Sequence, residues 1–199
     1  MQVVLASGNQ GKLTELETLL APLSLTLVSQ GALGIDAPPE PFGTFVENAL
    51  VKARHASRAS GLPAIADDSG LAVDALAGAP GVHSARYAGA QASDADNNRK
   101  LIGALNNIEQ RSAAFHSVLV FIEHPEDPCP TIAAGRWPGR IQDAPEGDGG
   151  FGYDPHFFVP SEGTTAAALP TGRKNLLSHR GKAAAALLAA LTERFAAQP

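Results

Sequence analysis

One cysteine in 199 residues, Cys129, leaves no intrachain disulfide to staple the fold. It sits in the Pro-rich loop PEDPCP, residues 125–130, with no basic neighbour in sequence to draw out a thiolate, so an idle thiol is the expected state. No run approaches the ~20 apolar residues that a membrane span requires, and the N-terminus lacks the charged and apolar regions of a secretory signal. These absences predict a reduced, soluble, cytoplasmic setting with no membrane partner. Positive charge is also in deficit: 15 Lys and Arg against 20 Asp and Glu give a net charge of −5. A pI near 5.6 argues against double-stranded nucleic acid as the main partner. A net-negative chain that handles a polyanion must gather its cations locally or recruit a metal. There is no internal repeat and no block of like charge.

What is present suffices for a core. Hydrophobic residues make up 44% of the chain, and a chain of this length buries roughly 70% of its extended-chain surface on folding. The 20 glycines and 15 prolines are scattered between periodic segments, which marks turns rather than disorder. The patterns predict a strand over 2–6, a helix over 12–21, a strand over 24–29, a loop over 30–43 and a helix over 44–60. A strand-turn-strand over 63–75 and a Gly/Pro-rich loop over 77–92 follow, then a helix from Ser93 to Leu105. Two long strands (112–123 and 131–142), a Gly-rich loop, a short strand (153–159) and a helix from Ser178 to Phe195 complete the order. Helices and strands alternate early and a β-ribbon sits in the middle, so the fold class is α/β with a mixed central sheet and flanking helices.

Two polar segments stand out. PAIADDSGLAVD, residues 63–74, places the adjacent carboxylates Asp67 and Asp68 between apolar runs. Adjacent carboxylates repel, so this pattern points to a cation or a proton-transfer task nearby; a turn capped by one Asp, with the other in solvent, competes on equal terms. On a strand the two face opposite sides, so only one enters any given site, and the sequence alone does not choose between them. SGNQGK, residues 7–12, joins the first strand to a helix start. Free N–H groups and the helix dipole make such a junction an anion site, to which Lys12 adds a charge and Ser7 and Asn9 hydrogen bonds. The loop is not a Walker motif, which wants Gly at the position of Ala6 and Ser or Thr at that of Leu13, nor a dinucleotide fingerprint, since only Gly8 and Gly11 are present.

Further signals lie downstream. Thr44 to Glu47 reads as a capping box, after which Asn48, Lys52 and His55 form one polar stripe on a core-facing helix. Glu40 sits in a loop with three prolines that hold it rather rigidly. GDGGFGYDPHFFVP, residues 147–160, sets aromatics and Asp154 after a run of glycines. Finally, His179 and Arg180 open an alanine-rich helix where cations oppose the dipole, a local conflict that suggests a ligand-facing role.

SxNxxK at 7–12, FxENAxxKA at 45–53, ADDSGL at 66–71, GAPGVHSARY at 78–87, GFGYDP at 150–155 and SHRGKA at 178–183 occur in one order along nearly the whole chain. Together they resemble the inosine/xanthosine triphosphate pyrophosphatase family. The resemblance implies an elongated, two-lobed single domain over residues 1–199 that forms a homodimer with its site in a cleft between the lobes. It also implies Mg2+-dependent hydrolysis of dITP, ITP and XTP to monophosphate and pyrophosphate. Residue by residue, Ser7, Gly8, Asn9, Gln10, Gly11, Lys12 and Lys52 would hold the triphosphate. Asp68 would be the general base and a metal ligand, with Ser69 beside it and Glu40 as the second metal ligand. The family's Glu-x-Gly is here Glu40-Pro41-Phe42-Gly43. Phe151 would stack on the base, while Gly152, Tyr153, Asp154, Lys174, His179 and Arg180 would meet the nucleoside end. Two alternatives are a Maf-type pyrophosphatase, whose N-terminal loop carries Ser-x-x-Arg chemistry, and a nucleotide-binding module without turnover.

Overall fold

The apolar run after Met1 forms strand β1 (Gln2–Ala6), and its alternation builds the layers of the first of two compact units. The computed structural model describes residues 1–7, 10–23 and 25–196; Gly8, Asn9 and the side chain of Gln10 lie outside the described residues. The first unit comprises Met1–Asp68, Ser117–Gly135 and Arg180–Pro199, and the second comprises Ser69–His116 and Arg136–His179.

In the first unit, α1 (Gln10–Leu20) links β1 to β2 (Thr26–Ser29), and α2 (Phe45–Ser60) leads into β3 (Ala64–Val73). β1 pairs in parallel with β2 on one side and with β3 on the other, Val4 standing opposite Ala64. Such parallel neighbours need helical crossovers, which α1 and α2 supply. Val3 and Leu5 pack with Leu13, Leu16 and Leu20 of α1 and with Leu187 and Leu191 of α5 (His179–Ala196). Val4 and Ala6 point the other way, onto Ala49, Ala53 and Ala56 of α2. The small alanines let that helix approach the sheet closely. Gly61 ends α2 at φ +70°, with its N–H donating to Ser57 O at 2.8 Å, a left-handed cap that a side chain would strain.

The second unit takes the far halves of β3, β4 (Ser112–Ile122) and β5 (Thr131–Ile141), together with β6 (Phe157–Val159) and β7 (Thr164–Thr165). Its helices are α3 (Asp94–Ala104) and α4 (Thr171–Leu177). Its core gathers Leu71, Val73, Leu101, Leu105, Phe115, Trp137, Ile141, Tyr153 and Phe157. The strand order through the sheet is β2-β1-β3-β4-β5-β6-β7, and β5, β6 and β7 pair antiparallel. The mixed α/β architecture is therefore the expected one.

Three local expectations are corrected. β3 is one unbroken strand through Ser69 and Gly70, not strand-turn-strand; beyond them Leu71 N–H is satisfied by Ser84 Oγ at 2.9 Å. The strand expected over 153–159 is a single 3-10 turn, Asp154–His156, followed by the short β6, because Pro155 favours a helical turn start. Helix α4 precedes the C-terminal helix, and the extended Ser178 (φ −66°, ψ 159°) separates the two.

Candidate active site

The two carboxylates of β3 part company by strand alternation. Ile65 and Asp67 share the face toward α1 and α5; Ala66 and Asp68 share the face toward α2. Each carboxylate meets a different set of partners, all within the first unit.

Asp67 is 1% exposed and surrounded by donors. Lys12 Nζ lies 2.9 Å from its Oδ2, the Ser117 hydroxyl donates to its Oδ1 at 2.7 Å, and Arg180 Nε stands 3.9 Å away. Arg180 is itself paired with Glu15 of α1. Burial opposes the charged form of Asp67, but Lys12, Arg180 and the Ser117 hydrogen bond outweigh it and hold the carboxyl far below the usual range. Asp67 is a fixed anion with no appetite for a proton.

Asp68 is the opposite case. It is 5% exposed and receives Lys52 Nζ on Oδ1 at 2.7 Å and Asn48 Nδ2 on Oδ2 at 3.4 Å. Burial raises its pKa above the ordinary carboxylate value, and Lys52 only partly offsets that rise. Lys52 also donates to Glu40 Oε1 at 3.0 Å, so one ammonium spans two carboxylates. Burial alone would lower the Lys52 pKa; attraction to Asp68, and then to Glu40, carries it above its ordinary value instead. Asn48 completes the arrangement from the same helical face. Its Oδ1 accepts from Phe42 N and its Nδ2 donates to Phe42 O, both at 3.2 Å, which pins the chain just after Glu40.

These donors suit a hard divalent cation. Glu40 and Asp68 offer carboxylate oxygens already bridged by a positive charge, and no group of three acid, histidine or cysteine residues able to hold a metal occurs among the described residues. Two carboxylates with the remaining positions left to phosphate oxygens and water is the manner in which Mg2+ is held.

A second cluster forms in the second unit. Lys174 is 7% exposed and Asp154 3%, and their side chains pair at 2.8 Å. Asp154 Oδ2 also accepts from Phe151 N at 3.0 Å, and the Lys174 ammonium stands 5.3 Å from the centre of the Phe151 ring. Gly150, at φ +75°, is required here, since a Cβ would run into the Asp154 carboxylate and the Lys174 ammonium. His179 stacks on Phe115 with ring centres 4.7 Å apart and planes 11° off parallel.

The expected residues therefore fall into two groups. Lys12, Glu40, Lys52, Asp68 and Arg180 belong to the first unit, as does Ser7, which opens on a pocket lined by Gln30, Ile35 and Asp36. Gly11 lies in the first turn of α1. Ser69, Phe151, Gly152, Asp154, Lys174 and His179 belong to the second unit. Gly8 and Asn9 lie outside the described residues. Two of these side chains are committed to protein partners. The Tyr153 ring packs in the core and its hydroxyl donates to Ser84 O at 2.8 Å. Arg180, expected at the nucleoside end, is 2% exposed and directs its charge to Glu15 and Asp67. Sequence reasoning also passed over Asn48, Ser117 and Glu15 as site residues. Asn48 was signalled by its place in the stripe with Lys52; Ser117 and Glu15 gave no local signal.

Comparison with known proteins bears on this arrangement. The model of the Ham1 family matches residues 3–190. The chain is 56% identical over 192 residues to a dITP/XTP pyrophosphatase of Shigella flexneri, covering 96% of this chain and 98% of the relative. It is 59% identical over 187 residues to the protein of the same name in Xanthomonas campestris pv. campestris, covering 93% and 94%. Among solved structures, a HAM1 protein from Coxiella burnetii superposes with a TM-score of 0.91 at 48% identity, over 97% of this chain and 99% of that one.

Proposed function

The chain belongs to the Ham1 family, and from that premise we propose that it is a nucleoside triphosphate pyrophosphatase acting on deaminated purines. It hydrolyses dITP, ITP and XTP to the nucleoside monophosphate and pyrophosphate. Relatives bearing the name dITP/XTP pyrophosphatase at 56–59% identity support the substrate class. The observation that carries the chemistry is the division of labour between Asp67 and Asp68: one locked as an anion, the other with its pKa raised by burial.

In this reading Asp68 is the general base. It orients a water against the α-phosphorus and takes its proton as the new P–O bond forms and the bond to the bridging oxygen of pyrophosphate breaks. A carboxylate with a raised pKa is a stronger base than an ordinary one, whereas Asp67 would gain little by accepting a proton. Glu40 and Asp68 would hold Mg2+, which when bound supplies charge neutralisation on the phosphates. Lys52, which bridges Glu40 and Asp68, would also offer its ammonium to phosphate oxygens. Ser7, the backbone of α1's first turn and Lys12 bind the remaining anionic groups. Asp67 holds Lys12 in place for that task. In the second unit Phe151 stacks on the purine, and Lys174, anchored by Asp154, offers its ammonium to the 6-oxo acceptor that distinguishes hypoxanthine and xanthine from adenine.

The reading extends to a cytoplasmic homodimer that uses neither nucleic acid nor membrane; among the described residues no helix is long and apolar enough to cross a bilayer. Light scattering tests the dimer. The activity is tested by a pyrophosphate-release screen over ITP, dITP, XTP, GTP, ATP and dUTP, with and without chelator. Release from ITP and XTP well above ATP and GTP, abolished by chelator and restored by Mg2+, is the expected result. Binding without release would make the chain a nucleotide-binding module, and activity persisting in excess chelator would remove the metal roles of Glu40 and Asp68.

A further inference from the structure

Phe151 is carried on a segment whose backbone polar groups are all bound. Its own N–H donates to Asp154 Oδ2 at 3.0 Å and its carbonyl accepts from Asp154 N at 3.4 Å. The next residue, Gly152, is held from α3: its N–H donates to Asp94 Oδ2 at 2.7 Å and its carbonyl accepts from Asn98 Nδ2 at 2.8 Å. Asp94 and Asn98 stand at i and i+4, on one face of that helix. The helix start is itself firm, because Ser93 and Asp96 form a reciprocal capping box around it. Gly152 sits at φ +64°, a left-handed conformation that these two bonds stabilise.

The Asn98 carboxamide shows that this clamp has a cost. Its Oδ1 is buried without a hydrogen-bond partner. Turning the amide over would set oxygen against the Gly152 carbonyl, so the donating orientation is forced and the orphan oxygen comes with it. An apolar residue here would remove that penalty. A local cost retained at a position facing a candidate site points to positioning rather than to stability.

We infer that Asp94 and Asn98 are specificity-positioning residues, which fix the Gly152 peptide so that the Phe151 ring is presented to the purine in one orientation. The inference rests on the reading of Phe151 as the base-stacking residue. Neither side chain touches substrate; both act through the backbone that bears the ring. Loss of the clamp lets the ring wander, which weakens recognition of the base and leaves the phosphates and the attacking water as they were.

The test uses Asp94→Ala, Asn98→Ala, the double variant and the conservative Asp94→Asn, which keeps an acceptor oxygen for Gly152 N–H. KM and kcat are measured with ITP, and inorganic tripolyphosphate serves as a competitor that carries phosphates but no base. The double variant is expected to raise KM for ITP about 10-fold, within the range that stacking on an aromatic commands. The kcat stays within about 2-fold and the inhibition constant of tripolyphosphate does not move. Asp94→Asn recovers most of the loss of Asp94→Ala. An unchanged KM overturns the inference, and so does a KM that rises in step with the tripolyphosphate constant, which would mean general loosening. A parent protein that turns over no purine triphosphate sinks the functional reading, and the inference with it; an active parent with indifferent variants sinks the inference alone.

Discussion

Neutralising either carboxylate of β3 removes one charge from neighbouring positions of one strand, yet the two substitutions are expected to do opposite things. Asp67→Asn leaves Lys12 and Arg180 without the anion they share, in a place where the Asp67 side chain is 0% exposed. Removing one partner of a buried ion pair typically costs about 3–5 kcal/mol, because the stranded charge keeps its desolvation penalty. For a chain of this size each kcal/mol lowers the melting temperature by roughly 2–4 °C, so a fall of roughly 6–20 °C is expected. Asp68→Asn acts on a group whose ionisation burial opposes, so neutralising it relieves a penalty while Lys52 keeps Glu40 at 3.0 Å. Its melting temperature should lie within about 2 °C of the parent, while turnover falls ~10²–10⁴-fold with the loss of the general base. Differential scanning calorimetry paired with a pyrophosphate-release assay separates the two. An Asp67→Asn protein that melts with the parent, or an Asp68→Asn protein that melts as low as Asp67→Asn, would refute the assignment of one carboxylate to structure and the other to chemistry.

Acid titration should show the same asymmetry. Asp67, depressed in the fold, contributes stability that is complete above its unfolded pKa near 3.8 and is lost as pH falls below it, by about 1.4 kcal/mol per pH unit. Asp68, raised in the fold, works the other way, so the acid limb of the kcat/KM profile should lie above the ordinary carboxylate value and vanish in Asp68→Asn. Lys12→Ala and Lys52→Ala should mainly raise KM for triphosphates, with a salt-sensitive affinity in the parent that flattens in both variants; unchanged kinetics would return both to structural ion pairs. Arg180→Ala should lower turnover of ITP, XTP, GTP and ATP alike, because its charge is directed to Glu15 and Asp67; selective loss of the preference over ATP would restore it to the base. Gly150→Ala should disrupt the Asp154–Lys174 pair and weaken ITP binding with little effect on the binding of inorganic tripolyphosphate, measured by calorimetry.

Much of the first unit was legible because its signals are local. The strand-loop-helix start at Ser7, the capping residue Thr44 and the stripe of Asn48, Lys52 and His55 all depend on spacing within one element. Strand alternation also foretold that Asp67 and Asp68 would face different partners. What stayed hidden depends on neighbours distant in sequence. Ser117 reaches Asp67 across 50 positions, and Glu15 meets Arg180 across 165. The run of Ser69 and Gly70 looks like a turn in isolation, but within β3 both residues continue the strand. Helix α4 escaped notice because TGRKNLL is short and contains a glycine, so that its helical state is not evident from local preference. Tyr153 carries a signal from its motif that says nothing of packing, and its ring lies in the core.

In the proposed reaction, water directed by Asp68 attacks the α-phosphorus. Hydrolysis of ITP in water enriched in heavy oxygen, followed by phosphorus NMR of the products, tests it directly. Inosine monophosphate and pyrophosphate are the expected products, with the isotope shift on the monophosphate resonance alone. A label in pyrophosphate, or orthophosphate released in the absence of any other phosphatase, would contradict it.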